Sequence, residues 1–421
     1  MSNRPYDIIV WGATGFTGAL VAEYLTRNAP ANVKFALAGR NLKKLNPIAQ
    51  RLKRIDQVYR FAKEDVPIII ADGDDQDSLD RLVSQGTVVL STVGPYNKYG
   101  MPLVDACVRL KTHYVDITGE TNFIRNCIDK YHDQAVANGV LIVNSVGFDS
   151  LPSDLGTFLI ANYFKSKSYK TDNVRYTLSK VHGGLSGGTL HTICNMMEST
   201  PIRELYKLTT NPEYLAPKVI PNKKSWNGTL VYYDKGLQTW QTPFLMESGN
   251  LRYVRRSNYL LNYGPNFQYC EGIAASNIIF AFYITISMAF FGLIMLLPPV
   301  RWILKRYLPP GTGPSPETQK SGHFTVDLYG EATDLLGRKH FASAVVIGNE
   351  DPGYSGTAKM IAESALCLAL DLKACQQPGR AGSFAMQKAG VVTAASSMGL
   401  VLVERLRCAG MTLDIYPINT N

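Results

Sequence analysis

Ile8-Ile9-Val10-Trp11-Gly12-Ala13-Thr14-Gly15-Phe16-Thr17-Gly18 decides how the first third of this chain is read. Four apolar residues suit a buried strand, the glycines at 12, 15 and 18 make a tight turn, and residues 19–28 have the composition of a helix. The first glycine permits the turn and the second lets backbone N–H groups approach a pyrophosphate. The third lets the helix pack against the strand, with its partially positive end facing the phosphates. Gly12, Thr14, Gly15, Phe16, Thr17 and Gly18 are therefore the expected cofactor-binding residues of a dinucleotide-binding unit. A lone glycine-rich turn satisfies the same spacing, so the flanking strand and helix carry the assignment.

The next strand, expected at 34–38, ends in Gly39-Arg40, where an NAD-specific site carries Asp or Glu for the ribose 2′-hydroxyl. The planar fork of Arg40 suits a 2′-phosphate instead, with Asn41 and Lys43 close in sequence. NADP(H) is the preferred cofactor on this reading and NAD(H) the alternative.

With 421 residues, 46% hydrophobic and 18% charged, the chain has enough apolar sequence for a sizeable core. A net charge of +9 raises the question of nucleic acid, but the basic residues are dispersed, and several lie near one apolar stretch. A membrane surface fits that distribution and nucleic acid does not. Seven cysteines without a C-x-x-C pair and six scattered histidines give neither a disulfide framework nor a metal signature, which suits a reducing compartment. The opening residues lack the basic-then-apolar order of a signal peptide, so the sequon at 227–229 is expected to go unused.

Apolar runs then alternate with helical segments: 66–71 and 78–84, 88–91 and 101–111, 114–117 and 123–137, then 140–143. That rhythm is the signature of an α/β fold with a Rossmann-type doubly wound parallel sheet. The expected cofactor domain is 1–146. A second α+β domain is expected over 147–272 and 320–421, with antiparallel strands at 173–181, 228–233, 323–329 and 340–347. Helices are expected at 354–373 and 391–407.

Between its two parts lies a hydrophobic segment, 273–310. Its core, 278–297, has only Tyr283, Thr285 and Ser287 as polar interruptions, and at about 1.5 Å per residue it matches a hydrocarbon core of about 30 Å. Arg252, Arg255 and Arg256 precede it and Arg301, Lys305 and Arg306 follow it, as expected when both ends stay on one side. A simple crossing would also split the strands of one domain across a membrane. The expected arrangement is an apolar helix or hairpin in one leaflet or a lipid-droplet monolayer, with 300–308 at the interface. The alternative is a buried core helix.

The motifs at 12–18, Ala38-Gly39-Arg40, Thr92-Val93-Gly94-Pro95-Tyr96, 114–120, 147–154 and 394–406 resemble those of the saccharopine dehydrogenase-like oxidoreductases, a group that includes trans-acting enoyl reductases. The resemblance covers nearly the whole chain. It implies an NADP-dependent oxidoreductase, and similar animal members imply a lipid droplet or membrane location on the cytosolic face, with the ER and mitochondrial membranes as alternatives.

Ser91, Thr92, Gly94 and Pro95 follow the fourth strand and are expected to line the cofactor, with Tyr96 toward the reacting face as proton donor. Thr118 and Glu120, beyond the fifth strand with Asp116, and Asp149 and Ser150 at the domain junction with Asp154, are the expected substrate cleft. For Asp116 and Thr118, turn formation and helix capping explain the residue types equally well, and Ser150-Leu151-Pro152 reads first as a helix start with Ser150 as its cap. His191 and Cys194 are weaker candidates for the same cleft. No cationic cluster for substrate carboxylates is evident in the second domain. The expected function is hydride transfer to a lipid-linked carbonyl or enoyl substrate at a membrane or lipid-droplet surface, in lipid or glycolipid metabolism. The alternatives are a non-catalytic NADPH-bound lipid-surface protein and a saccharopine-type amino-acid dehydrogenase.

Overall fold

The computed structural model describes residues 4–56, 61, 65–183, 211–216, 231–307 and 315–418. His191, Cys194 and the sequon at 227–229 lie outside the described residues, as does the first half of the strand expected at 228–233. The chain forms two compact units. The first comprises Met1–Leu151, Tyr354–Ala381 and Met386–Arg405, and the second Pro152–Gly353, Gly382–Ala385 and Leu406–Asn421.

In the first unit β1 (Tyr6–Trp11), β2 (Phe35–Gly39), β3 (Ile68–Ile70), β4 (Gly86–Ser91), β5 (His113–Asp116) and β6 (Leu141–Val143) stand in the order 6-5-4-1-2-3, all parallel. This is the order of a dinucleotide-binding sheet, reversed about β1 and β4. Ile8, Ile9 and Val10 are fully buried, as are Val88, Val89 and Leu90. Continuous apolar runs of this kind are required where helices cover both faces. The helices are α1 (Phe16–Asn28), α2 (Leu42–Ile55), α3 (Gln76–Val83), α4 (Tyr96–Arg109) and α5 (Thr121–Asn138).

A seventh strand completes this sheet from far along the chain. Gly390–Val392, which overlaps the start of the expected helix at 391–407, is a strand that pairs in parallel with β6 (Gly390 opposite Leu141, Val392 opposite Val143). Gly390 has φ +110°, which breaks any helix there, and Thr393 with Ser396 forms a capping box that starts a new one. The helix expected at 354–373 is also divided. A tight turn at Pro352–Gly356 precedes a helix at Thr357–Leu370, and a short helix, Leu372–Gln376, follows the break at Asp371. Both late segments belong to the first unit, which corrects the expectation that 320–421 lies wholly in the second domain.

The second unit is built on β7 (Lys170–His182), β8 (Tyr232–Asp234), β9 (Thr239–Thr242), β10 (Gln268–Ala275), β11 (His323–Thr333), β12 (Lys339–Gly348) and, last in the chain, Thr412–Ile418. The sheet is mixed rather than purely antiparallel, because β10 runs parallel to β7 while β11, β12 and the last strand alternate in direction. One face is covered. Phe324, Val326 and Leu328 are buried under α6 (Leu151–Ser166), so closely that a Cβ on Gly156 would press on the Leu328 and Val346 side chains.

The apolar segment forms α8 (Ile278–Met295) and α9 (Pro298–Tyr307), after α7 (Glu247–Leu261). Within α8 only Ala281 and Met295 are buried, whereas Ile279, Tyr283, Ile286 and Phe290 are each more than 60% exposed, which rules out the buried core helix. It is the one helix among the described residues long and apolar enough to cross a membrane. Its basic flank needs correction. Arg252, Arg255 and Arg256 sit in α7, each 3% exposed, with Arg255 ion-paired to buried Glu213, Arg256 donating to the Leu215 carbonyl and Arg252 to that of Asn211. They hold the 211–216 segment and are not available to headgroups.

Candidate active site

The glycine turn leaves no room for side chains where the sequence placed none. Gly12 has φ +93°, and a Cβ on it would lie 2.6 Å from Val93 Cγ2, while one on Gly18 would collide with the Gly12 carbonyl. The Gly12 N–H donates to the Ala38 carbonyl at 3.1 Å and the Gly15 N–H to the Gly12 carbonyl at 2.9 Å, which fixes the turn between β1 and β2. Gly15 is the N-cap of α1, with no side-chain cap and no acidic residue in the first turn. Uncapped N–H groups at a helix start, approached through glycine, form an anion cradle. Thr14 and Gly15 are exposed, and Phe16 and Thr17 are half-buried. The neighbouring loop is fastened to this turn, since the Thr92 N–H donates to the Trp11 carbonyl at 3.0 Å. Arg40, at the end of β2, is exposed and without an ion pair among the described residues, whereas the Asn41 side chain is already engaged, accepting the Lys44 N–H as the cap of α2.

At the carboxyl edge of β4 and β5 the expected substrate residues are tied to one another. The Glu120 carboxylate accepts the N–H groups of Tyr96 and Asn97, each at 2.8 Å, and so caps α4. Thr118 Oγ1 accepts the Glu120 N–H at 3.0 Å. Asp116 accepts from Thr118 N at 3.0 Å, Ser145 N at 2.9 Å and Asn144 Nδ2 at 2.8 Å. Burial pushes the Asp116 carboxyl up to about 6, against the downward pull of those donors.

Tyr96 is corrected by this geometry. Its hydroxyl points inward, donating to the Ser91 carbonyl at 3.1 Å, and the side chain is 6% exposed. Burial drives the phenol well above its ordinary value, and its hydroxyl faces the Ser91 carbonyl rather than the surface. Gly94 and Pro95 lead into α4, with Pro95 at its N-cap position. Ser150 is buried and its N–H donates to the Gly147 carbonyl at 3.2 Å, while Asp154 accepts from the Ser257 hydroxyl within the second unit. Asp149 differs from all of these. Its carboxyl makes no hydrogen bond or ion pair among the described residues and, although the residue keeps an exposed surface, desolvation by the surrounding protein pushes it up to about 6.

Sequence reading missed the turn at Pro352–Gly356. Tyr354 packs edge-on against Phe16 of the glycine turn, with centroids 4.7 Å apart, and Thr357 Oγ1 accepts the Phe148 N–H at 3.1 Å. The available signal was Gly353-Tyr354-Ser355-Gly356-Thr357, a second glycine-bearing turn leading into a helix.

Comparison with known proteins agrees with this architecture. Residues 8–143 match the saccharopine dehydrogenase NADP binding domain. A trans-acting enoyl reductase of Mycobacterium tuberculosis is 34% identical over 457 residues, covering 98% of each chain, and one of Mycobacterium leprae is 33% identical over 441 residues with the same coverage. The chain belongs to the saccharopine dehydrogenase-like oxidoreductases. Apo saccharopine dehydrogenase (L-Glu forming) of Saccharomyces cerevisiae superposes over 98% of this chain and 100% of its own with a TM-score of 0.52, and at 12% identity that likeness shows the shared fold. As a saccharopine dehydrogenase-like oxidoreductase the protein uses NADP(H), and the side-chain-free cradle at Gly12, Gly15 and Gly18 fits a pyrophosphate. When bound, the cofactor supplies the hydride.

Proposed function

We propose that the protein reduces the enoyl double bond or carbonyl of a lipid-linked substrate while docked on a lipid surface. On this reading Gly12, Thr14, Gly15, Phe16, Thr17 and Gly18 hold the pyrophosphate, Arg40 meets the 2′-phosphate, and Ser91, Thr92, Gly94 and Pro95 line the ribose and nicotinamide side. Hydride goes to one atom of the double bond and a proton to the other. Asp149 is the acid at the carboxyl edge that no described neighbour engages, so it takes the role expected of Tyr96, with Thr118 and Ser150 shaping the backbone around the substrate.

One observation carries the lipid half of the proposal. β10 and β11 both pair with β7, with Ile273 opposite Leu178 and His323 opposite His182, so the chain leaves the sheet and returns to it at the same end of β7. The apolar helix is thus a loop out of one sheet edge, which suits insertion from one side. At its far end Arg301 donates to the Met295 and Leu296 carbonyls at 2.8 and 2.9 Å. Trp302 and Tyr307 are 63% and 79% exposed, the composition of an interfacial helix.

The test is excision. Ala275 and His323 are two strand spacings apart, on the order of 10 Å, so a short Gly/Ser linker can replace 276–322. The shortened protein should keep NADPH affinity and lose flotation with phospholipid vesicles. Oxidation of NADPH by the full chain should appear with enoyl thioesters or fractionated lipids. Flotation of the shortened chain would overturn the docking, and silence across all lipid fractions with NADPH bound would favour the non-catalytic alternative.

A further inference from the structure

The turn at Pro352–Gly356 is held against two loops of the cofactor edge at once. On one side the Tyr354 ring, 4% exposed, meets Phe16 at 4.7 Å between centroids and 75° between planes. Phe16 is the first residue of α1, so its backbone N–H belongs to the cradle. On the other side Thr357 Oγ1 accepts the Phe148 N–H, and its methyl group presses on Gly147, where a Cβ would lie 3.1 Å away. The helix that begins at Thr357 is buried through Leu368 and packs on α1 and on β1, β4 and β5, so the turn has little freedom. None of this is needed to complete the sheet, because β13 (Gly390–Val392) reaches it through a separate segment.

We infer that Tyr354 and Thr357 are positioning residues for NADPH, fixing the glycine turn and the 147–150 turn in the geometry that receives it. The inference rests on the glycine turn holding the pyrophosphate. An N–H cradle binds an anion well only when its donors are already aligned, since otherwise ligand binding must order them. Phe16 lies at the open end of the cradle, half-exposed, and the Tyr354 ring is its aromatic neighbour. Removing that ring releases the first turn of α1 without touching a group that contacts phosphate directly. The loss should therefore be shared by NADPH and NADH, whereas loss of Arg40 should fall on NADPH.

The experiment titrates NADPH and NADH by fluorescence into the full chain and four variants. Tyr354→Leu is expected to weaken both nucleotides by the same factor, on the order of threefold to tenfold, the range of an aromatic pair. Tyr354→Phe keeps the ring and should bind both nucleotides more tightly than Tyr354→Leu does. Phe16→Leu should match Tyr354→Leu, and the double variant should be no weaker than either, because the two rings act as one unit. Undiminished affinity in Tyr354→Leu, or losses that simply add in the double variant, would overturn the inference. If Tyr354→Leu fails to fold, Phe16→Leu and Thr357→Val decide, and normal NADPH affinity in both is the overturning result. Gly18→Val separates this from the reading beneath it: a folded Gly18→Val protein that still binds NADPH would show that the pyrophosphate lies elsewhere.

Discussion

Glu120 and Tyr96, expected as partners in chemistry, are partners in capping: the Glu120 carboxylate accepts the Tyr96 N–H at 2.8 Å and that of Asn97 at the same distance. The pair fixes the start of α4 beneath the cofactor edge. Glu120→Ala leaves two donors at the helix start without partners and should cost about 2–3 kcal/mol. Urea unfolding measures this, and Glu120→Gln should recover part of it. A Glu120→Ala protein of unaltered stability would return Glu120 to the list of substrate residues.

On the proposed reading, Arg40 governs the choice of nucleotide. Arg40→Ala removes a charge-assisted fork worth about 1.5–3 kcal/mol, so NADPH affinity should fall roughly tenfold to a hundredfold while NADH affinity stays constant. Direct titration of both nucleotides reads the ratio. Equal losses would show that Arg40 acts on the adenosine moiety in general.

Stability should decline as pH rises through neutrality. Burial pushes Glu271 up to about 7, where it accepts from the Tyr269 hydroxyl at 2.6 Å and Asn250 Nδ2 at 3.0 Å. A carboxyl raised above its usual 4.5 keeps its proton longer in the folded chain than in the unfolded one. Its contribution is therefore complete below about 4.5 and is lost as pH climbs through about 7. The urea midpoint should fall between pH 5 and 8, and Glu271→Gln should flatten that slope. The remaining slope is shared by Asp116 and Asp149, raised in the same direction, and is opposed below about pH 6.5 by His113, whose imidazole is lowered to about 4 by burial.

Arg255 and Glu213 form an ion pair with side chains 4% and 3% exposed. Arg255→Ala strands a buried carboxylate and should cost about 3–5 kcal/mol, while Arg255→Met with Glu213→Leu should cost much less. Thermal unfolding of the two variants compares them. A double variant as unstable as the single one would mean that the loss comes from packing of the arginine stem rather than from the unpaired charge.

The parallel sheet was legible because its signals are local: Gly12, Gly15 and Gly18 sit beside their own strand and helix, and the runs around Val88 and Tyr114 read as buried strands without their partners. What was not legible depends on distant chain. Val391 and Val392 look helical until Ile142 and Val143 are beside them. Arg252, Arg255 and Arg256 look like a membrane flank until Glu213 and the Leu215 carbonyl are seen beneath them. At the candidate site, position along the edge was readable but side-chain direction was not. Tyr96 lies where expected, yet its hydroxyl turns to Ser91, a consequence of where Glu120 starts the helix.

The late arrival of β13 has a bearing on biosynthesis. Until Gly390–Val392 has been made, β6 is an open strand edge, and until Thr357–Leu370 follows the second sheet, part of the face formed by β1, β4 and β5 lacks its cover. Synthesis of the intervening chain, roughly 250 residues at about 5–20 residues per second, takes on the order of 10–50 s. For that interval the growing chain carries its nucleotide half unfinished, with an apolar helix emerging midway. A nascent chain of this design needs shelter at the ribosome, and a message truncated before position 390 yields a product prone to edge pairing rather than a smaller nucleotide-binding protein.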